Sequence, residues 1–231
     1  MGEVVQMFNQ ISKRYDLINR VLSLGMDVGW RHQLARATAA TGAKHVLDVA
    51  TGTGDVAIAL ARAGISRVVG VDPAQKMLAI GREKLVRAGV ADHVELVLGS
   101  AESFPFPDGA FDAATISFGI RNAANLDQAV SELCRVLKPG GTLFVLEFST
   151  PGHPIIRLGW RAHLRLYVPL VGGLLSGDFN AYRYLNRTIE AFPSGEAFLG
   201  HLSAAGFTQT KTTPLCLGAV SIYEGRRPVN T

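Results

Sequence analysis

Acidic, hydroxyl and cationic side chains recur in this 231-residue sequence where apolar runs give way to loops. Asp48 stands just before the loop TGTGD (51–55), and Asp72 closes the run RVVGVD. Ser100, Ala101 and Glu102 follow VELVLG, Ser117 to Asn122 (SFGIRN) follow FDAATI, and Glu147 stands within TLFVLEFS. Arg121 beside Asn122 offers guanidinium and carboxamide donors to an oxygen that gains negative charge during a reaction. Arginine is a poor simple base because its pKa stays above ~12. A water held by Arg121 or Asn122 could carry a proton instead, with Glu147 as its receiver. Each residue also has a plainer use: a surface ion pair for Arg121, a helix cap or turn for Asn122, a structural salt bridge for Glu147.

The segments that must hold these groups alternate. Strands are expected at 45–50, 66–73, 94–100, 111–118 and 142–149, with helices over 55–63, 74–88 and 125–137 between them. Met77, Leu78, Leu85 and Val86 mark the apolar face of the second of these helices. KPGG reads as a turn before the fifth strand. A last helix near 194–205 precedes two strands, near 207–214 and 218–226, close enough to pair antiparallel. This predicts one α/β domain, doubly wound around a seven-stranded, mainly parallel sheet with an antiparallel edge strand. A helical N-terminal extension (1–40) precedes the core (45–149), an insertion (150–193) follows, and 194–227 completes the sheet. Ligands of such sheets bind outside the carboxyl ends of the strands, where the polar groups fall.

Composition narrows the class. At 48% hydrophobic and 18% charged, the chain suits a compact globular protein. A net charge of +4, spread rather than blocked, gives no nucleic-acid footprint. Cys134 and Cys216 are expected as small buried apolar residues in a reducing compartment. The six histidines show no metal-ligand spacing, so no metal is expected. No signal or transit pattern is visible, which points to a cytoplasmic protein. The apolar stretch 154–175 is interrupted by Arg157, Arg161, His163 and Arg165, too often for a spanning helix. It suits either a surface helix at the inner face of the cell membrane or one packed on the domain.

The loop LDVATGTGDVAIA is ambiguous alone. Gly52, Thr53, Gly54 and Ala57 satisfy a relaxed dinucleotide pattern, with Asp72 as the ribose-binding acid. Asp48 separates the alternatives. A carboxylate there would repel a pyrophosphate and attract a ligand carrying an amino group and a sulfonium. S-adenosylmethionine is such a ligand. Its site would take Asp48, the backbone at Gly52, Thr53 and Gly54, Asp72 on the ribose hydroxyls, Pro73 and Met77 beyond it, Ser100, Ala101 and Glu102 at the adenine edge, and Ser117.

D-x-x-x-G-x-G, the acid ending the second strand, GSAESFPFPDGAFD and RVLKPGG together resemble class I methyltransferases. Ala50 departs from the pattern where many members have glycine, a substitution expected to be tolerated if φ is negative there. Four further segments resemble the UbiE/MenG family: VVQMFNQISKRYDLINRVLSLGMDVGWR (4–31), TISFGIRN (115–122), VLEFSTP (145–151) and AYRYLNRTIEAFP (181–193). Members C-methylate the ring of polyprenylated quinol precursors of menaquinone or ubiquinone. The resemblance carries the family's cofactor positions to Thr53, Asp72, Ser100, Ala101 and Ser117, and the compact N-terminus favours demethylmenaquinol as the substrate. A benzoquinol or other small molecule is the runner-up, and a non-catalytic cofactor-binding subunit is the contrasting class.

Such a reaction needs the ring hydroxyl deprotonated or its phenolate stabilised, and the carbon held ~3–3.5 Å from the methyl group. Arg121, Asn122 and Glu147 are the catalytic candidates. Met7, Phe8, Ile11, Tyr15, Ile18 and Leu22 form an apolar face on an N-terminal helix, which would close over the site or simply pack on the core. Tyr15, Asn19, Phe118, Tyr182 and Arg183 are the substrate candidates, and the insertion would suit a prenyl tail. The sequence permits a homodimer.

Overall fold

The computed structural model describes residues 2–229. Five parallel strands, β1 (His45–Val49), β2 (Arg67–Asp72), β3 (Val94–Leu98), β4 (Phe111–Ser117) and β5 (Leu137–Phe148), make up the sheet from one edge inward. β6 (Thr208–Leu215) and β7 (Val220–Arg226) complete the order β3-β2-β1-β4-β5-β7-β6. The last two strands pair antiparallel at one edge, as expected. The reversed strand is β7, one in from the edge, because the short turn brings it back between β5 and β6. β1 neighbours β2 on one side and β4 on the other, which opens a crevice above its carboxyl end.

Helices α1 (Gly2–Leu22) and α2 (Met26–Ala40) precede the sheet, and α3 (Asp55–Arg62), α4 (Gln75–Ala88) and α5 (Leu126–Val136) lie between strands. The insertion comprises α6 (Pro154–Ala162), a π-helical turn (His163–Tyr167), α7 (Val168–Ser176) and α8 (Phe179–Ala191), with α9 (Glu196–Ala204) after it. One apolar layer gathers Leu34, Leu60, Leu78 and Leu85 against Val46, Val68 and Phe144. The opposite layer gathers Val130, Leu133, Phe198 and Leu202 against Leu47, Ile116 and Tyr223. Both faces of the sheet are thus covered, which is why its strands read as continuous apolar runs. A third cluster joins Ile18 and Leu22 of α1 to Leu164, Val168, Tyr182 and Ile189 of the insertion.

Four expectations are corrected. Val86 is exposed; the buried face of α4 runs through Met77, Gly81 and Leu85 instead. KPGG is not a free turn but a bulge inside β5: Phe111 pairs with Leu137 and Ala113 with Thr142, so Lys138 to Gly141 stand opposite Asp112 alone. Cys134 is half-buried, and Cys216 is exposed on the turn between β6 and β7.

The fourth concerns Ala50, whose φ is +52° rather than negative. This left-handed conformation costs a non-glycine residue about 1–2 kcal/mol. It turns the chain sharply enough for Thr51 N to donate to the carbonyl of Val71 at 3.1 Å. Gly119 on the adjacent strand tip makes room for the methyl group, since a Cβ there would fall 2.4 Å from that of Ala50.

Candidate active site

The crevice divides into three connected cavities. One of about 770 Å³ is walled by Gly52, Asp72, Pro73, Met77, Ala101, Glu102 and Asn122, with Val4, Val5 and Phe8 of α1 across from them. A smaller one, about 350 Å³, lies beside the glycine loop and includes Asp48, Thr53, Asp55 and Arg31. A third, about 1310 Å³ and largely apolar, extends under α2 and the insertion past Trp30, Phe148, Trp160, Leu185 and Ile189. Tyr15 lines all three. Phe118 lines the first and third, and Ser117 the first and second.

The acids are held by their own strand tips. Asp48, fully buried on β1, accepts hydrogen bonds from Thr51 Oγ1 (2.6 Å) and Thr115 Oγ1 (2.7 Å). Burial outweighs these bonds and pushes its carboxyl up to about 6. Asp72 accepts from Gly52 N at 2.9 Å and Ala74 N at 2.8 Å, which ties the second strand tip to the glycine loop. Burial raises its pKa too. Ser117 Oγ is buried without a partner, an orphan that a ligand could satisfy.

Arg121 sits on a short 3-10 turn (Ile120–Asn122) after β4. Its Nη1 donates to Glu147 Oε1 and to the carbonyl of Phe118, both at 2.7 Å, and its guanidinium lies over the Phe148 ring at 5.4 Å. The pair is buried, the Arg121 side chain 6% exposed and Glu147 0%. It is therefore no surface ion pair. Arg121 Nε and Glu147 Oε2 are buried with no partner. Desolvation raises the Glu147 pKa, against the pull of the Arg121 charge.

The structure separates residues that the sequence grouped together. Arg121 lines the apolar cavity, whereas Asn122 lines the first cavity and accepts from Tyr184 Oη at 3.3 Å. Glu147 lies behind Arg121 and lines no cavity described above. Tyr182 is buried against Gly172 and Arg183 is exposed, so neither reaches a cavity. Burial pushes the Tyr182 hydroxyl up to about 12. Their helix contributes Tyr184, Leu185 and Ile189 instead. Gly54 caps α3, and the Ser100 hydroxyl bonds to Glu102, whose other oxygen accepts from Ala124 N at 2.7 Å. Asn19 lines the apolar cavity beside Tyr15.

The N-terminal helices prove to be walls of the site. Phe8 and Tyr15 meet edge to face at 5.8 Å, while Ile18 and Leu22 anchor α1 to the insertion. Asp16 accepts from Thr53 Oγ1 and Lys84 Nζ, each at 2.7 Å, and Lys84 also bonds to Asp55. The Thr53 hydroxyl thus binds the extension to the glycine loop.

The family model for the ubiE/COQ5 methyltransferase family matches residues 2–227. This chain belongs to that family. A demethylmenaquinone methyltransferase of Thermus thermophilus is 46% identical over 223 residues, covering 96% of this chain and 100% of the relative. A ubiquinone/menaquinone biosynthesis C-methyltransferase of Geobacter sulfurreducens is 41% identical over 229 residues, covering 98% and 89%. Among solved structures, a putative S-adenosyl-L-methionine-dependent methyltransferase of Methanococcus maripaludis superposes with a TM-score of 0.67 at 18% identity, covering 95% of this chain and 93% of that one. That likeness shows the methyltransferase fold.

Several residues of this ubiE/COQ5-family site escaped the sequence reading. The Asp27–Arg31 pair had a local signal, opposite charges one helical turn apart. Lys84 had none, since its partner Asp16 lies 68 residues away. Among the described residues no group of three or more His, Cys, Asp or Glu gathers as a metal site, and no helix is long and apolar enough to cross a membrane.

Proposed function

We propose that this protein transfers a methyl group from S-adenosylmethionine to a ring carbon of a prenylated quinol, with demethylmenaquinol as the substrate. The observation that carries this reading is the junction at Tyr15 and Phe118, where a cavity that carries Asp72, Glu102, Ser117 and Asn122 on otherwise apolar walls meets a larger, mainly apolar one. A cofactor and a prenylated ring are two ligands of those chemistries. The Thermus thermophilus relative is named for demethylmenaquinone, and the Geobacter sulfurreducens relative for both ubiquinone and menaquinone biosynthesis, which supports a quinol substrate.

The residues present fit the cofactor. Asp72, fixed by two backbone amides, is an acceptor for ribose hydroxyls. Gly52 and Met77 line the same cavity as Asp72, where they offer backbone and thioether surface to the nucleoside. Asp48 faces the end that carries positive charge, and the unpartnered Ser117 hydroxyl offers one hydrogen bond more. When bound, the cofactor supplies an electrophilic methyl group.

On the quinol side, Arg121 offers donors to the ring oxygen as it becomes a phenolate, which stabilises the charge that activates the neighbouring carbon. Glu147 fixes the orientation of that guanidinium and compensates its burial. As a proton receiver it would need water to pass Arg121, so positioning is its role here. Burial also raises the Tyr15 pKa, which keeps its phenol protonated and able to donate at the junction.

Ile155, Leu158, Leu166, Leu170 and Leu174 of the insertion are all more than half exposed, with Arg161 and Arg165 exposed among them. Such a row supports contact with a lipid surface, from which a prenylated substrate would be drawn.

Incubation with methyl-labelled S-adenosylmethionine and demethylmenaquinol should place label in the lipid product, with a prenylated benzoquinol precursor run in parallel. Label in the benzoquinol alone would reassign the substrate, and no label in either lipid would refute the activity.

A further inference from the structure

The small cavity beside the glycine loop has a charge problem that one residue resolves. It shares Tyr15, Ala50, Gly52 and Ser117 with the larger cavity that holds Asp72, so a ligand whose ribose meets Asp72 extends its other end here. For the cofactor proposed above, that end is an amino acid with an ammonium and a carboxylate. Asp16, Asp48 and Asp55 line the cavity and suit the ammonium, but they oppose a carboxylate.

Most amides of the glycine loop are not free to supply the missing anion site. Thr51 N already donates to Val71 O, Gly52 N to Asp72 and Gly54 N to Thr51 O. Three of the four amides between 51 and 54 are therefore engaged within the protein. Of the other nearby cations, Lys84 bonds to Asp16, Thr53 and Asp55 and Arg20 reaches Asp55 at 4.0 Å, and neither is among the residues facing the cavity. Arg31 is the lining residue that carries positive charge.

Arg31 is also held in place for such a role. It projects from α2, its side chain 11% exposed, paired with Asp27 one turn back and 3.5 Å from Asp55. Both contacts run through Nη1, and a guanidinium has five N–H donors in a rigid fork. A fork anchored at one nitrogen presents the rest with little ordering left to do.

We infer that Arg31 binds the carboxylate at the methionine end of the cofactor. The N-terminal extension then provides the positive charge that the glycine loop lacks, with Thr53 N the one loop amide left to join it. This rests on the cofactor reading given above, and a ligand comparison separates the two.

Wild-type protein and Arg31→Met are titrated by calorimetry with S-adenosylhomocysteine and with its decarboxylated analogue, which keeps the adenosine, thioether and amine. In the wild type the analogue should bind about 10- to 100-fold more weakly, the range for losing a charge-assisted hydrogen bond. In Arg31→Met, S-adenosylhomocysteine should weaken by a similar factor and the two ligands should bind within about threefold of each other, the non-additivity of two changes at one contact. A wild-type preference that persists in Arg31→Met overturns the inference, as does a wild type indifferent to the carboxylate. If Arg31→Met does not fold, Arg31→Lys replaces it: the ratio between ligands should shrink, and an unchanged ratio is equally fatal. Failure of the wild type to bind either ligand would instead sink the cofactor reading itself.

Discussion

Replacing Asp48 by asparagine should stabilise the ligand-free protein while crippling its affinity for cofactor. The carboxyl of Asp48 moves from 3.8 to about 6 on folding because burial outweighs the bonds from Thr51 and Thr115. At 1.36 kcal/mol per unit, the ionised group costs the folded state about 3 kcal/mol at pH 8. Asparagine removes that cost but brings an amide N–H that needs a partner, about 1 kcal/mol. The net gain is about 2 kcal/mol, or roughly 4–8 °C in Tm for a chain of this size. The sign with pH follows from the raised folded value. Between pH 3.8 and about 6 the native state binds the extra proton, so wild-type stability falls as pH rises through that window and levels off above it. The Tm advantage of Asp48→Asn should therefore be full at pH 8, shrink to zero between about pH 5 and 4, and reverse by about 1 kcal/mol at lower pH, where only the amide's cost remains. Differential scanning calorimetry across that range, without ligand, measures it. Calorimetric titration at pH 8 should show S-adenosylmethionine binding tens of times more weakly, because an ion pair in a dry site is lost. A variant less stable than wild type by the same amount at pH 5 and pH 8, with cofactor affinity intact, would refute both the burial cost and the assigned role.

Arg121→Gln should lower kcat by about 10²–10³-fold, as for loss of an oxyanion donor, while S-adenosylhomocysteine binding stays within threefold. Equal losses in both would return Arg121 to a structural role. Gly119→Ala should destabilise by about 1–3 kcal/mol through overpacking against Ala50. The same change in an Ala50→Gly background should cost much less, and additive urea midpoints would show that the two positions do not touch. Leu166→Gln with Leu170→Gln should reduce sedimentation with anionic phospholipid vesicles at least severalfold without altering Tm, and unchanged sedimentation would remove the lipid contact.

The sheet was legible because apolar runs of strand length alternated with helical spacing, and buried parallel strands leave that signature. The acids at the strand tips were legible for the same reason, since tip position fixes where a side chain emerges. The face of α8 was not. Tyr182 and Tyr184 are two residues apart on a helix, so they point in different directions, and only the docking of the insertion decides which reaches the site. Ala50 misled because its conformation depends on Gly119, a neighbour in the sheet and not in the chain. Arg121 and Asn122, adjacent in sequence, were assigned one task, yet a single 3-10 turn sends them into separate cavities. Lys84 shows the limit most plainly, for its three polar partners come from α1 and the glycine loop, both far from it in the chain.

Helix α1 walls the cavity at Asp72 with Val4, Val5 and Phe8 and the larger apolar one with Asn19 and Leu22. One helix is therefore a shared wall, anchored through Ile18 and Leu22 to the insertion. A substitution that loosens this anchor is expected to alter both chambers together, so a change in one ligand's affinity comes with a change in the other's.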